Sequence, residues 1–243
     1  MGSGTDVAID TADLVVTDDN FISIVEGIKE GRIAYSNIRK IVLFLLSCGI
    51  SEVLFYLFSV CLDYELPLIA IQLLLINIVT DGLQDVALSF EKGTKDIMLE
   101  KPRNTNEAIF SKDLMIEVLI FGLTISFMIF MAWKYLIDNN TNFLIARSII
   151  MLIMVFVQNL HVLNCRSEKN SIFKTSILSN KLIITILVSI FLQLFIINIP
   201  VLSKFLKIAN LSFNTIIASF IFSLLIIVVS EIYKFIYKKL RDN

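Results

Sequence analysis

The chain has 243 residues, 56% of them hydrophobic, with a mean hydropathy of +0.81 and a net charge of −1. Soluble domains average about 45–50% apolar residues, dispersed with amphipathic period. Here they mass into blocks of about 20, enough to cross a hydrocarbon core of roughly 30 Å. The charge balance excludes the global basic field that nucleic-acid binding relies on, so the expected partner is the lipid bilayer.

Residues 1–22 are polar and mixed in charge. Within them, 6–9 (DVAI) and 14–16 (LVV) are short β-like runs broken by Gly, Thr and Asp, which predicts the tail of a soluble α/β domain. Over 23–40, Ile24, Ile28 and Tyr35 recur at helical intervals, with Glu26, Lys29, Glu30 and Arg32 between them. That pattern predicts a cytoplasmic stalk helix running on into the membrane. Residues 41–243 read as a six-helix transmembrane domain, with spans at 41–62, 67–90, 114–137, 143–165, 182–202 and 213–236. Nothing in 1–40 resembles a cleavable leader. The first span is therefore expected to direct its own insertion, unless an earlier part of a longer chain does so. Cys48, Cys61 and Cys165 lack C-x-x-C spacing and read as small buried hydrophobes.

The connections alternate in character. The one at 63–66 is short and carries no Lys or Arg, while 91–113 and 166–181 are polar and basic. With 1–40 on the cytoplasmic side, 17 of the 21 Lys and Arg residues fall in cytoplasmic segments, among them Lys95, Arg103, Lys169 and Lys174. Only Lys134, Arg147, Lys204 and Lys207 fall outside. The positive-inside rule then places both termini in the cytoplasm of a multi-pass membrane protein, in the plasma membrane if the source is bacterial.

Ionisable groups deep in a bilayer cost about 2.5–3.5 kcal/mol each on insertion scales and are functional candidates by default. Glu52 lies near the midplane of the first span. In the second, Asn77, Thr80 and Asp81 stand at i, i+3 and i+4 and share one helix face. Gly82 follows directly, where the helix can loosen and turn carbonyls toward a ligand. Two carboxylates, an amide oxygen and a hydroxyl form an all-oxygen set suited to a hard cation such as Ca²⁺ or Na⁺, or to a hydrated proton. The alternative is that both acids are protonated and only bond neighbouring helices. Gln158 in the fourth span is a weaker candidate ligand, and His161 reads as a packing or hydrogen-bonding residue. Gln84 and Asp85 either line an ion exit or belong to a wet interfacial mouth. Glu117 and Glu231 lie near cytoplasmic helix ends and are expected to be solvated.

These residues carry a family resemblance. The segments 1–8 (MGSGTDVA), 12–15 (ADLV) and 18–21 (DDNF) resemble the end of the haloacid-dehalogenase-like phosphorylation domain of P-type ATPases. The segments 31–32 (GR) and 35–40 (YSNIRK) resemble the stalk entering that family's fifth transmembrane helix, and 72–74 (QLL) with 77–82 (NIVTDG) its sixth helix in the calcium-pump branch. Further on, 96–98 (DIM) with 101–103 (KPR) is similar to the following cytoplasmic loop, and 163–167 (LNCRS) to the end of the eighth helix.

The resemblance implies that Glu52, Asn77, Thr80 and Asp81 are ion ligands and that the cargo is Ca²⁺. It also shows departures. Gly49 stands where reticulum-type calcium pumps place a ligand Asn, Gln158 where they place a Glu, and Gln84-Asp85 replaces a Pro-Ala pair. The loss of two ligands implies one bound ion per cycle instead of two. The family's DKTGT, TGES and TGDGxND motifs do not occur in the sequence. The expected role is thus the C-terminal cation-binding membrane domain of an ATP-driven pump, truncated and not catalytic by itself. Its implied partners are the missing N-terminal pump segments: four helices and the actuator, nucleotide-binding and phosphorylation domains. Mg²⁺ and ATP would enter only with the complete pump. The competing expectation is a free-standing membrane protein that binds or passively conducts cations, or that partners a separate pump half.

Overall fold

A computed structural model describes residues 1–93, 96–99, 101–102, 109–167, 171–172 and 180–241. Lys95, Arg103, Lys169 and Lys174, together with most of the connection expected at 166–181, lie outside the described residues. The regular elements among the described residues are all helices: α1 (Asp6–Asp10), α2 (Phe21–Cys61), α3 (Ala70–Val79), α4 (Asp81–Ser89), α5 (Lys112–Asp138), α6 (Phe143–Cys165), α7 (Asn180–Asn198), α8 (Pro200–Phe205), α9 (Phe213–Ser223) and α10 (Leu225–Arg241).

The β-like reading of residues 6–9 is corrected. They form α1, where the Thr5 hydroxyl accepts from Ala8 N at 3.4 Å and Asp6 occupies the first turn. A strand satisfies its backbone only through a neighbour, whereas one helical turn with a capping Thr satisfies its own. No strand occurs among the described residues, and the 14–16 run makes a single backbone bond, Gly2 N to Val16 O at 2.7 Å. Accordingly, no α/β tail is seen.

Six stretches are long and apolar enough to cross a membrane: Phe21–Cys61, Ala70–Ser89, Lys112–Asp138, Phe143–Cys165, Lys181–Asn198 and Phe213–Lys239. The chain is a multi-pass membrane protein. The helix α2 begins at Asn20, whose side chain accepts from Ile22 N, and runs unbroken for 41 residues. At 1.5 Å per residue it is about 60 Å long, twice a hydrocarbon core, so the segment expected as a stalk and the first span are one rod. Three spans depart from simple rods. The second is interrupted at Thr80, which caps both α3 and α4. The fifth stops at Asn198, short of the expected 202, because Pro200 opens the separate helix α8. The sixth is interrupted at Leu224.

The helix α6 forms the centre of the bundle, buried almost all round from Ala146 to Cys165. Around it, Phe55, Phe121, Ile125, Ile129 and Trp133 build the main core where α2 packs on α5. Gly122 permits that closeness, since a Cβ there would meet Ile50 Cγ2 at 2.8 Å and Ser47 O at 3.4 Å. Outward-facing Leu45, Val53, Leu57, Leu74 and Ile78 remain exposed, as suits surfaces that face apolar surroundings in a membrane.

The N-terminal half of α2 is tied to the connection after α4. Asn37 Nδ2 donates to Ser89 O at 3.1 Å and to Glu91 O at 2.8 Å, and Arg32 donates to Ile97 O at 2.8 Å. Glu91 in turn pairs with Arg166 at the end of α6, at 3.0 Å.

Candidate cation site

Glu52 projects from α2, Asn77 from α3, Asp81 from the first turn of α4 and Gln158 from α6, with Thr80 at the break. Gln158 joins them. Its Nε2 donates to Glu52 Oε1 at 3.0 Å, and its Oε1 accepts from Thr80 Oγ1 at 2.6 Å. The same hydroxyl, with one proton to give, has Ile76 O at 2.7 Å and Asp81 Oδ1 at 3.3 Å as alternative acceptors. A threonine hydroxyl bonding back to the i−4 carbonyl bends a helix. The break therefore falls at Thr80, two residues before the Gly82 where loosening was expected. Asn77 and Asp81 both lie near Glu52.

Burial divides the set. Thr80 and Gln158 are buried, Glu52 and Asp81 are half-buried, and Asn77 is exposed. The cluster is closed by α6 on one side and open on the other, where a Cβ added at Gly49 would meet nothing within 4 Å. Among the described residues, no Lys or Arg forms an ion pair with Glu52 or Asp81. Also among the described residues, no three His, Cys, Asp or Glu side chains converge as a metal centre. A cation held here would take two carboxylates and complete its shell with the neutral oxygens of Asn77, Thr80 and Gln158, a hard all-oxygen set.

Other expectations are corrected in part. Gln84 lines no wet mouth: it is fully buried, its Nε2 donating to Asn159 Oδ1 at 2.7 Å and its Oε1 accepting from Thr185 Oγ1 at 2.8 Å. Asp85 stays half-buried on the neighbouring stripe of α4. Glu117 is buried, 4% exposed, because α5 enters the bundle before its first two turns are complete. Glu231 is partly buried and accepts from Ile172 N at 2.9 Å. Cys61 is exposed, while Cys48 and Cys165 are buried. His161 is a buried packing residue as expected, bonded to Ser47 Oγ at 2.7 Å and set against Phe44 and Phe121.

Sequence reasoning missed Asn159, Thr185 and Ser189, which join Gln84 in one buried network; Asn159 Nδ2 donates to Val155 O at 2.8 Å and Ser189 Oγ at 3.0 Å. A signal was present. Thr185, Ser189 and Gln193 recur every fourth residue through an otherwise apolar span, the mark of a polar stripe facing inward.

A central buried helix, a broken span beside it and carboxylates held between helices define a polytopic membrane protein with a polar site inside its bundle. The family model described as "Cation transporting ATPase, C-terminus" matches residues 65–236, and the chain belongs to that family. It is 34% identical to Calcium-transporting ATPase 1 of Bacillus cereus over 96% of this chain and 28% of that protein. It is 39% identical to a Calcium-transporting ATPase of Bacillus subtilis over 82% of this chain and 22% of that one. With the mouse Calcium-transporting ATPase type 2C member 1, identity is 32% over 96% of this chain and 25% of the relative. The chain thus spans about a quarter of the length of the curated relatives it matches.

Proposed function

We propose that this chain is the cation-binding membrane domain of an ATP-driven pump, with Ca²⁺ as cargo. The observation that carries the reading is the Glu52–Gln158–Thr80–Asp81 link, which joins three separate spans around two carboxylates with no basic partner among the described residues. Half-burying two acids without a counter-charge is costly, and a divalent cation between them offsets that cost. The printed names of the relatives favour Ca²⁺. Gly49 and Gln158, each replacing a ligand of the reticulum-type pumps, favour one ion per cycle.

The same proposal takes residues 1–22 as the end of a phosphorylation domain, 23–40 as the stalk and 41–243 as the membrane domain, with both termini cytoplasmic. Remaining pump segments would supply ATP hydrolysis and would seat against the open Gly49 side. Because α2 is continuous, a tilt of the stalk moves Glu52 relative to Asp81 and changes the site's affinity.

Equilibrium ⁴⁵Ca²⁺ binding to the full chain in lipid nanodiscs tests the proposal. One saturable site per chain is expected, weakened at least about 30-fold by Asp81→Asn, since truncating one partner of a buried charge pair costs about 2–5 kcal/mol. No saturable binding, or binding indifferent to both Asp81→Asn and Glu52→Gln, would refute the reading. Two sites would refute the single-ion stoichiometry.

A further inference from the structure

The second span meets α6 along a stripe that carries no charge. Thr80 and Gln84 stand four residues apart, both fully buried, and each is held by one member of a sequence-adjacent pair on α6: Thr80 by Gln158, Gln84 by Asn159. Gln84 is gripped a second time from α7 by Thr185, and Asn159 is itself fixed by Ser189 and by Val155 O. The carboxylates Asp81 and Asp85 form the adjacent stripe. Successive helical residues are about 100° apart, so fixing Thr80 and Gln84 against α6 fixes the direction in which Asp81 points.

The helix α4 is seated near its C-terminal end by buried Ala87 and Leu88, packed among residues of α2 and α7, and by the Asn37 bond to Ser89 O, so the polar ties at Thr80 and Gln84 are what set its N-terminal half. It is only nine residues long, starts at a break and has no side-chain hydrogen bond at its N-cap. Asp81 lies in its first turn. A rotation of about 20° at a side-chain radius of about 5–6 Å would swing the carboxylate roughly 2 Å. Cation–oxygen distances for Ca²⁺ occupy a window of only about 2.3–2.6 Å. The angular setting of this short helix therefore decides whether Asp81 can act together with Glu52.

We propose that Gln84 is a positioning residue for the cation site: held by Asn159 and Thr185, it locks the rotation of α4 so that Asp81 faces Glu52. It touches no cation itself. This inference rests on the functional reading above for what the site binds, but not for the geometry it claims.

The test uses the full chain in lipid nanodiscs and two readouts. For geometry, Cys48, Cys61 and Cys165 are replaced by Ala, Glu52→Cys and Asp81→Cys are introduced, and copper-phenanthroline disulfide formation between them is followed by mass spectrometry. For affinity, ⁴⁵Ca²⁺ binding is measured in the native-cysteine chain.

Gln84→Met, which keeps side-chain volume but removes both hydrogen bonds, is expected to slow cross-linking and weaken ⁴⁵Ca²⁺ binding, each by about tenfold, the effect of losing one or two interhelical hydrogen bonds. Its effect on affinity is expected to shrink in the Asp81→Asn background, because the two changes act through one group. Thr185→Val, the milder variant should Gln84→Met fail to fold, moves both readouts in the same direction.

Gln193→Leu is the control. Gln193 is fully buried on α7, and its amide has no hydrogen-bond partner among the described residues, so its loss leaves both readouts unchanged. Wild-type cross-linking and affinity in both Gln84→Met and Thr185→Val would overturn the proposal. So would an equal loss in Gln193→Leu, which would show general loosening of the bundle. If Gln84→Met slows cross-linking while even the unsubstituted chain binds no ⁴⁵Ca²⁺, the positioning role stands and the Ca²⁺ reading falls.

Discussion

Replacing Gln158 by Leu separates the two jobs its amide performs. The side chain is 1% exposed and makes two interhelical contacts, to Glu52 at 3.0 Å and from Thr80 at 2.6 Å. Interhelical hydrogen bonds within membranes average about 0.6 kcal/mol and reach about 1.7 kcal/mol. The Thr80 bond sits near the lower figure, because its hydroxyl can fall back on Ile76 O, already at 2.7 Å. The Glu52 bond sits near the upper one, because its acceptor is a carboxylate. Together the loss is about 2 kcal/mol. Leucine returns little of this, since apolar contact with α2 gains scant advantage over contact with lipid. The buried thiols of Cys48 and Cys165 provide the assay: with Cys61→Ser removing the exposed thiol, a thiol-reactive maleimide dye reports unfolding as those two become accessible on heating. Gln158→Leu is expected to lower the midpoint, and ⁴⁵Ca²⁺ affinity is expected to fall about tenfold as an oxygen leaves the site. An unchanged midpoint would refute the bridge, and a lowered midpoint with unchanged affinity would reduce Gln158 to a structural tie.

Other outcomes follow from single contacts. Gly122→Leu forces side-chain atoms against Ile50 and the Ser47 carbonyl and is expected to cost about 1–3 kcal/mol, read as a lower dye midpoint; an unshifted midpoint would contradict the α2–α5 approach. Glu91→Gln removes the ion pair between residue 91 and Arg166, and faster trypsin cleavage after Arg166 is expected, with an unchanged rate counting against the tie. At the N-terminus, the Ser23 hydroxyl and the Asn20 amide hold Asp18 below its ordinary 3.8, and Ser3 does the same for Asp19. Both folded-state values are depressed, so these contacts stabilise fully above pH 3.8 and are lost as pH falls through the lower folded values. Hydrogen exchange at Ser3 and Asn20, corrected for intrinsic rates, should show protection at pH 5 that disappears near pH 2, and equal protection at both would refute the assignment.

The spans were legible because hydrocarbon thickness imposes a length and a composition on each one, and the six apolar blocks obey both. The candidate residues were legible for a related reason: Glu52 and Asp81 stand out against apolar neighbours, and the i, i+3, i+4 spacing of Asn77, Thr80 and Asp81 puts them on one face. What escaped depended on contacts distant in sequence. Gln84 and Asn159 are 75 residues apart, and nothing local says that one amide meets the other. The break was placed at Gly82 because glycine is the conspicuous residue, yet a threonine hydroxyl turned back on Ile76 lies closer to the interruption. Residues 6–9 misled because four mostly apolar residues suit a strand or a helical turn equally, and the capping Thr5 decided for the turn.

The continuity of α2 makes it a lever with very unequal arms. Gly122 clasps it at Ile50, leaving 29 residues on the N-terminal side of that fulcrum and Glu52 only two residues beyond it. At 1.5 Å per residue the arms are about 44 Å and about 3 Å, so a 10° swing carries the Phe21 end through roughly 8 Å while Glu52 travels about half an ångström. On the proposed reading, coarse motion of the far end would be geared down to the scale on which a single ion–oxygen bond is made or lost.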